Sequence, residues 1–193
     1  VNTVYTANTA RTFHNGIVDG TINNTPNTNA ETYKVNLTFS GDLTVSSTGS
    51  ISTTRVGYGP TYGPSAGISA SGCQDRVSSG GGHAGTAGDG VGGYAGGKVV
   101  YDSITNPQNM GSGAGGIDGG GNGGGIILLN VTGTLANSGS IRSDGGTGIA
   151  LKCGGGGGGG SVNITCGTLS GNGAISANGG DAGTSVWGLP GGG

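Results

Sequence analysis

The side chains that could move a proton near neutral pH are few in this sequence, and their spacing suits no familiar chemistry. His14 and His83 are the only histidines. Neither has a Cys, a second His or a carboxylate at metal-ligand spacing, so no metal site is expected. The carboxylates are Asp19, Glu31, Asp42, Asp75, Asp89, Asp102, Asp118, Asp144 and Asp181. None forms a local pair of the kind general acid–base catalysis uses, although pairs distant in sequence can meet in a fold. Calcium loops of the Gly-Gly-x-Gly-x-Asp type need an Asp at a fixed offset in successive turns, and Asp89 and Asp118 stand alone. His83 follows Gly80-Gly81-Gly82 and is expected to hydrogen-bond glycine-rich backbone.

Other reactive patterns fail on context. A Gly-x-Ser-x-Gly nucleophile elbow needs a strand-to-helix junction, and no helix follows any candidate. Gly-x-Gly-x-x-Gly recurs throughout, but without a βαβ unit it carries no nucleotide-binding meaning. Parallel β-helix enzymes that cut polysaccharides set acids on adjacent coils, where this sequence holds Asn137, Ser140, Asn172 and Ala174. A carbohydrate-active enzyme, with Asp118 and Asp144 the first residues to mutate, is therefore the most distant of the readings. Thr53-Thr54 and Thr132/Thr134 do not repeat at one position, so no ice-binding ladder is expected. The expectation is a protein with no catalytic residues, no metal and no cofactor.

What remains is suited to contact rather than catalysis. Tyr58, Tyr62, Tyr94 and Trp187 stand in glycine-rich stretches, where rings could stack on a sugar or a partner surface at low entropic cost, or cap glycine-rich segments as the only bulky groups to hand. Cys153 and Cys166 bracket a glycine run, and a bridge between them would close a loop worth ~3 kcal/mol. Cys73 is then left over, as a small buried residue or an intermolecular thiol. Asn23, Asn36, Asn130 and Asn163 open Asn-x-Ser/Thr triplets, which matter only in a eukaryotic secretory route.

The elements that must position these groups follow from composition. Gly accounts for 51 of 193 residues and charged residues for 8%. Mid-helix glycine costs about 1 kcal/mol, and no stretch of a dozen residues carries apolar positions at helical spacing free of Gly, Pro or Ser/Thr/Asn clusters, so no long helix is expected. Ordering glycine costs more than ordering any other residue, so an ordered run such as 154–160 requires a packed environment. Where glycine recurs every third position, as at Gly82, Gly85 and Gly88 or Gly113, Gly116 and Gly119, a polyproline II helix presents a bare edge to neighbours, which can stack through backbone hydrogen bonds.

One phrase occurs three times, an apolar strand, then a glycine-flanked Leu, then a Gly-x-Ile step. The copies begin at Tyr33, Ile126 and Ser161, with Gly49-Ser-Ile, Gly139-Ser-Ile and Gly173-Ala-Ile as their second halves. Gly133 and Gly167 mark the same point 34 residues apart, a solenoid-like spacing. Stacking would set Ile127, Leu129, Val131 and Leu135 over Val162, Ile164, Cys166 and Leu169. The last copy is one residue short before Gly167, which calls for a bulge there. The sequence thus predicts an all-β, glycine-rich parallel β-solenoid with polyproline-II-like segments. Residues 1–32, rich in Thr and Asn, read as two short strands forming a cap or donor segment. Residues 33–193 form the solenoid domain. Within it 57–124 is a long insertion of extended glycine-rich segments, pinned by Tyr94, Val99, Val100, Tyr101, Ile104 and Met110.

The stretch Gly80-Gly-Gly-His-Ala-Gly, then Tyr101-Asp-Ser, Pro107 and Gly111-Ser-Gly-Ala-Gly-Gly, with Ser176-Ala-Asn-Gly-Gly after the last Ile, resembles the glycine-rich repeat regions of large secreted or cell-surface proteins. The resemblance covers about residues 33–183. It implies parallel β-helices acting as adhesins or extracellular matrix, and a location outside the cell.

Partners follow by elimination. Net charge is −2 and the seven Lys and Arg are scattered from Arg11 to Lys152, a poor match for nucleic acid or anionic membrane. No run reaches the length of a membrane span, and no charged, apolar, small-residue leader opens the sequence, so an exported form has already lost its signal. The expected function is an extracellular structural subunit that polymerises end to end into a filament or matrix, with 1–30 at one joint and 170–193 at the other. The alternative is a tip adhesin that binds a receptor or glycan through loops of 57–124.

Overall fold

The computed structural model describes residues 4–71, 76–116, 118–185, 188–189 and 191–193. Alternation of apolar and polar residues decides where strands form. In Val35–Phe39 (β5) burial alternates residue by residue, with Val35, Leu37 and Phe39 inside. The same pattern sets Leu43–Val45 (β6) and Ser50–Ser52 (β7). Four short strands precede them, Val4–Thr6 (β1), Arg11–Phe13 (β2), Gly16–Val18 (β3) and Thr21–Asn23 (β4), where the sequence suggested two. The apolar runs further on give Ile126–Asn137 (β8), Ser140–Arg142 (β9), Ser161–Ser170 (β10) and Ala174–Ser176 (β11).

The architecture corrects the sequence-based expectation. The protein is all-β and no described residue is helical, but these strands do not form a clear solenoid. They make two parallel sheets, one ordered β1-β4-β7-β9-β11 and the other β2-β5-β8-β6-β3, with β10 on the free side of β8. The long β8 pairs β5 through its first half and β6 through its last three residues, so the second sheet closes partway round as a half-barrel. The physical reason is length. The repeated phrase has too few copies, and residues 53–125 leave the sheets between β7 and β8 instead of winding another turn.

Within the sheets the register is the one the repeats dictate. Val162, Ile164, Cys166 and Leu169 lie beside Ile127, Leu129, Val131 and Leu135, and the shift in register falls between Cys166 and Thr168. Inward rows run across several strands, as in Phe13, Phe39, Val131 and Cys166, or in Tyr5, Ile22, Ile51, Ile141 and Ile175. Leu37, Leu43, Ile51, Ile127, Leu135 and Ile141 are fully buried in this core. Each contributes about 1.5–3 kcal/mol relative to exposure.

The glycine-rich segments form a second body beside the sheets, held mainly by backbone hydrogen bonds with a few serine hydroxyls added, such as Ser79 to Ile68 and Ala95. From Val77 to Gly82 every N–H donates to a neighbouring segment at 2.9–3.2 Å, and the acceptor rotates with a period of three. Val77 and Gly80 donate to Val91 and Gly88, Ser78 and Gly81 to Cys153 and Gly156, Ser79 and Gly82 to Ile68 and Ser65. Residues 111–115 follow the same rule, with Gly111 and Ala114 bonded to Gly124 and Gly121, and Ser112 and Gly115 to Gly82 and Ser79. So do 155–160, with Gly155 and Gly158 bonded to Gly115 and Ser112, and Gly157 and Gly160 to Gly146 and Ser143. Three residues per turn is the period of polyproline II, whose backbone groups all point outward. An isolated helix of this kind gives its polar groups to water, and here the neighbouring segments replace water.

Candidate functional site

The most elaborated polar cluster lies where the glycine body meets the first residues of β10. Its centre is Asp102, whose side chain is 5% exposed. The local sequence explains the position: Asp102-Ser103 and Asn106-Pro107 are turn formers, and Asp102 takes a left-handed φ of 77°, which Asp tolerates better than most residues. One carboxylate oxygen accepts the Ser103 and Gln108 N–H groups at 2.8 and 3.0 Å. The other accepts Gln108 and Asn109 N–H at 2.8 and 2.7 Å, the Ser161 hydroxyl at 2.9 Å and His83 Nε2 at 3.3 Å. Burial works against the ionised carboxyl, but the Asn109, Ser103 and Gln108 N–H groups and the Ser161 hydroxyl outweigh it and hold its pKa down to about 2.

His83 faces this carboxylate and tilts against the Tyr101 ring, with centroids 4.8 Å apart. Its expected bond to glycine backbone is made only by its own main chain, whose N–H donates to Gly85. Burial raises the Tyr101 phenol pKa well above the usual value, and its hydroxyl reaches the Met110 carbonyl and Ser112.

Ser, His and Asp side chains in one cluster invite comparison with a hydrolytic triad, but the order is wrong. In a triad the imidazole stands between hydroxyl and carboxylate and removes the hydroxyl proton. Here the carboxylate stands between, and Ser161 meets only two acceptors, Asp102 and the Asn109 carbonyl at 2.6 Å. The hydroxyl therefore shares its single proton between the Asp102 carboxylate and the Asn109 carbonyl, and His83 reaches the same carboxylate oxygen instead of the hydroxyl. The cluster ties the 102–109 loop to segment 77–83 on one side and to β10 on the other, where Asn163 Nδ2 also donates to Asn106 at 2.7 Å.

Beside this anchor runs a groove of about 600 Å³. Its floor is glycine backbone from 81–82 and 157–160, and its rim carries Val100, Ile104, Pro107 and Ile175. Val99, Val100 and Ile104, expected to pin the glycine-rich insertion, are exposed instead, Ile104 by 90%. Met110 and Tyr101 do that work, the first fully buried and the second half-buried. Extended loops leave no inward face for consecutive residues such as Val99 and Val100.

The other singled-out residues are not brought together. Tyr62 is exposed, Tyr58 and Tyr94 are half-buried, and Trp187 lies outside the described residues. Tyr94 is held by Ser71 and Arg76, the Ser71 hydroxyl being the largest influence lowering its phenol pKa, while burial raises that of Tyr58. The triplets at Asn23, Asn36 and Asn163 are half-buried and only Asn130 is exposed. Asp19, Asp42, Asp89 and Asp144 each accept from hydroxyl, ammonium or backbone N–H donors nearby, which is structural work. Among the described residues no three His, Cys, Asp or Glu side chains cluster as metal ligands would. No helix of the described residues is long and apolar enough to cross a membrane.

The expected Cys153–Cys166 bridge does not form. Cys153 is disulfide-bonded and Cys166 is a free, half-buried thiol, while Cys73 lies outside the described residues. The reason is the extended path between the two. At about 3.1 Å per residue the run 154–160 alone carries the chain roughly 20 Å, whereas bridged Cα atoms stand about 5–6 Å apart.

Sequence reasoning missed Asp102 as a hub and Ser161 altogether. Their one advance signal is turn chemistry at 102–109, since nothing in their spacing links 83, 102 and 161. Compared with known proteins, the chain matches no family model, and no curated protein and no solved structure is significantly similar to it.

Proposed function

We propose that this protein is a non-enzymatic structural module of the cell exterior, which assembles by stacking the open end of its sheets on a second copy. The observation that carries this reading is the uncovered last level of the core. β10 bonds to β8 on one side only, and the inward residues Leu169 and Ile175 at that level are about half exposed. An uncovered parallel strand of ten residues is an open template for another strand. The opposite end of the same chain offers the matching surface, where Gly16 and Tyr5 head the rows that end in Leu169 and Ile175, and Phe13 heads the row that ends in Cys166.

The fit has a step in it. β1 stands one level beyond β2 and β3, so in a straight stack it falls where β11 of the neighbour lies. β1 is three exposed residues on a single partner strand and is the one that yields. The disulfide at Cys153 fits an oxidising compartment outside the cell. The Asp102 anchor, a carboxylate saturated by backbone N–H, hydroxyl and imidazole partners, fits a module that positions a loop without catalysing a reaction.

Negative-stain microscopy of the purified chain tests the proposal. Particles of uniform width that extend in one direction, and are lost in a Leu169→Lys, Ile175→Lys variant, support it. Monodisperse particles at every concentration would overturn it and favour the receptor- or glycan-binding reading.

A further inference from the structure

Of the aromatic residues singled out in the sequence, Tyr62 alone is exposed among those described, with 47% of its surface open. The turn that carries it is built at a cost. Residues 59–64 read Gly-Pro-Thr-Tyr-Gly-Pro, with a left-handed φ of 67° at Thr61 and of 105° at Gly63. Glycine adopts such angles freely, whereas a β-branched residue is strained there, and Thr61 is the one β-branched residue among the described non-glycine residues with positive φ. A chain with 51 glycines has the relaxed solution to hand and does not use it here.

The surroundings hold the strain in place. Thr61 N–H donates to the Ala114 carbonyl at 2.8 Å, Tyr62 N–H donates to Gly59 at 3.1 Å, and the Tyr62 carbonyl accepts the Gly113 N–H at 2.9 Å. Pro60 and Pro64 fix φ on either flank. A Cβ at Gly63 would stand 2.8 Å from the Tyr58 ring, so that ring backs the turn. Strain over-determined in this way gathers at ligand-holding sites, where it fixes a group in advance. The group fixed here is the Tyr62 ring. A free acceptor stands near by. Glu31 is exposed and accepts the Met110 N–H through Oε1 at 2.7 Å, and no described group bonds its Oε2. Its charge, second to burial, raises the Tyr58 phenol pKa.

We propose that the turn 59–64 is a saccharide-binding site, with the Tyr62 ring stacked on the C–H face of a neutral pyranose and Glu31 Oε2 accepting a hydroxyl of the same oligosaccharide. The chemistry selects this class. A lone flat ring flanked by Thr61 and Gly63 offers little to an apolar peptide, whereas a pyranose needs one aromatic face and a few acceptors. A ring with two side-chain torsions on a fixed turn loses little entropy on binding. The Glu31 carboxylate repels acidic sugars, so the occupant is uncharged. The turn lies outside both sheets, and its test is therefore independent of the stacking proposed above.

The experiment titrates the full chain with cellohexaose, mannohexaose, galactohexaose and chitohexaose, alongside polygalacturonate and an oligoproline peptide, and follows the Tyr62 ring resonances by NMR. At least one neutral oligosaccharide is expected to saturate with a Kd of about 1 mM or tighter, while polygalacturonate and the peptide leave the ring unmoved. Tyr62→Ala should abolish binding without moving Tm, and Tyr62→Phe should keep the affinity within about threefold. Glu31→Gln should weaken binding about tenfold. Thr61→Gly separates display from mere structure: relief of strain offsets the added freedom of the unfolded chain, so Tm should hold while binding weakens at least about threefold. Should Tyr62→Ala fail to fold, Glu31→Gln and Thr61→Gly carry the test. Absence of saturation by all the neutral sugars, binding that survives Tyr62→Ala, or saturation by polygalacturonate or oligoproline in their place would each overturn the proposal.

Discussion

A methyl group on Gly113 would stand 1.8 Å from the carbonyl oxygen of Gly59. The obstructing atom is backbone, and that backbone is fixed, because the Gly59 N–H donates to Thr28 at 2.8 Å. No rotamer change relieves such a clash. Gly113→Ala is therefore expected to cost about 3 kcal/mol or more, a fall of roughly 6–12 °C in Tm. Gly85→Ala, in open space, should melt with the parent. Thermal denaturation of the two variants side by side checks this, and equal losses would mean that the glycine segments are not packed as described.

Asp102 should set the acid limb of stability. Its pKa is held to about 2 in the folded protein, below the unfolded value, so the unfolded chain binds the proton first as pH falls. Its contribution is complete above about pH 4 and is lost as pH falls toward 2. Asp102→Asn, which turns an amide donor toward backbone N–H groups, is expected to cost about 2–3 kcal/mol at pH 7. Denaturant titrations should show the gap between parent and variant closing across that acid window. A gap that is constant with pH would assign the loss to packing alone.

The proposed stack makes a covalent prediction. Phe13 and Cys166 occupy the same inward row at opposite ends of the sheets, separated by Phe39 and Val131. Within one copy they cannot meet, and in a stack they become neighbours. Mild oxidation of Phe13→Cys should give a ladder of linked species on non-reducing gels, removed by Cys166→Ser. A single band under conditions where the parent forms filaments would rule out this geometry.

The free thiol is equally checkable. Alkylation of the unreduced, denatured chain followed by peptide mapping should label Cys166 and leave Cys153 unlabelled. Protection of both Cys153 and Cys166 would restore the pairing suggested by the sequence.

The sheets were legible in the sequence because burial alternates along short strands, and period two can be read from residue types. The partnering of Ile127 with Val162 and Leu135 with Leu169 followed from repeated phrases alone. The overall winding did not, since nothing in the strand residues says what the chain does between Ser52 and Ile126. The glycine body was visible as a tendency, from glycine at every third position, but its bonding map was not. Backbone-to-backbone pairing leaves no side-chain pattern, so the sequence does not show that Gly81 meets Gly156 and Gly115 meets Ser79. The Asp102 anchor was hidden for a related reason. Its donors are mostly main-chain N–H groups, which every residue except proline possesses.

A body held by backbone hydrogen bonds and almost bare of side chains has a thermal consequence. Exposing apolar surface raises the heat capacity of unfolding and exposing polar backbone lowers it. The glycine segments expose chiefly amide groups on unfolding, so per residue they should add far less than the usual 12–15 or so cal/mol/K. A small heat-capacity increment flattens the stability curve at its cold end. The hydrophobic contribution that fades on cooling is confined to the two sheets, while the glycine body keeps its strength near freezing. Calorimetry should therefore find a heat-capacity step well below that of an ordinary globular domain of this size.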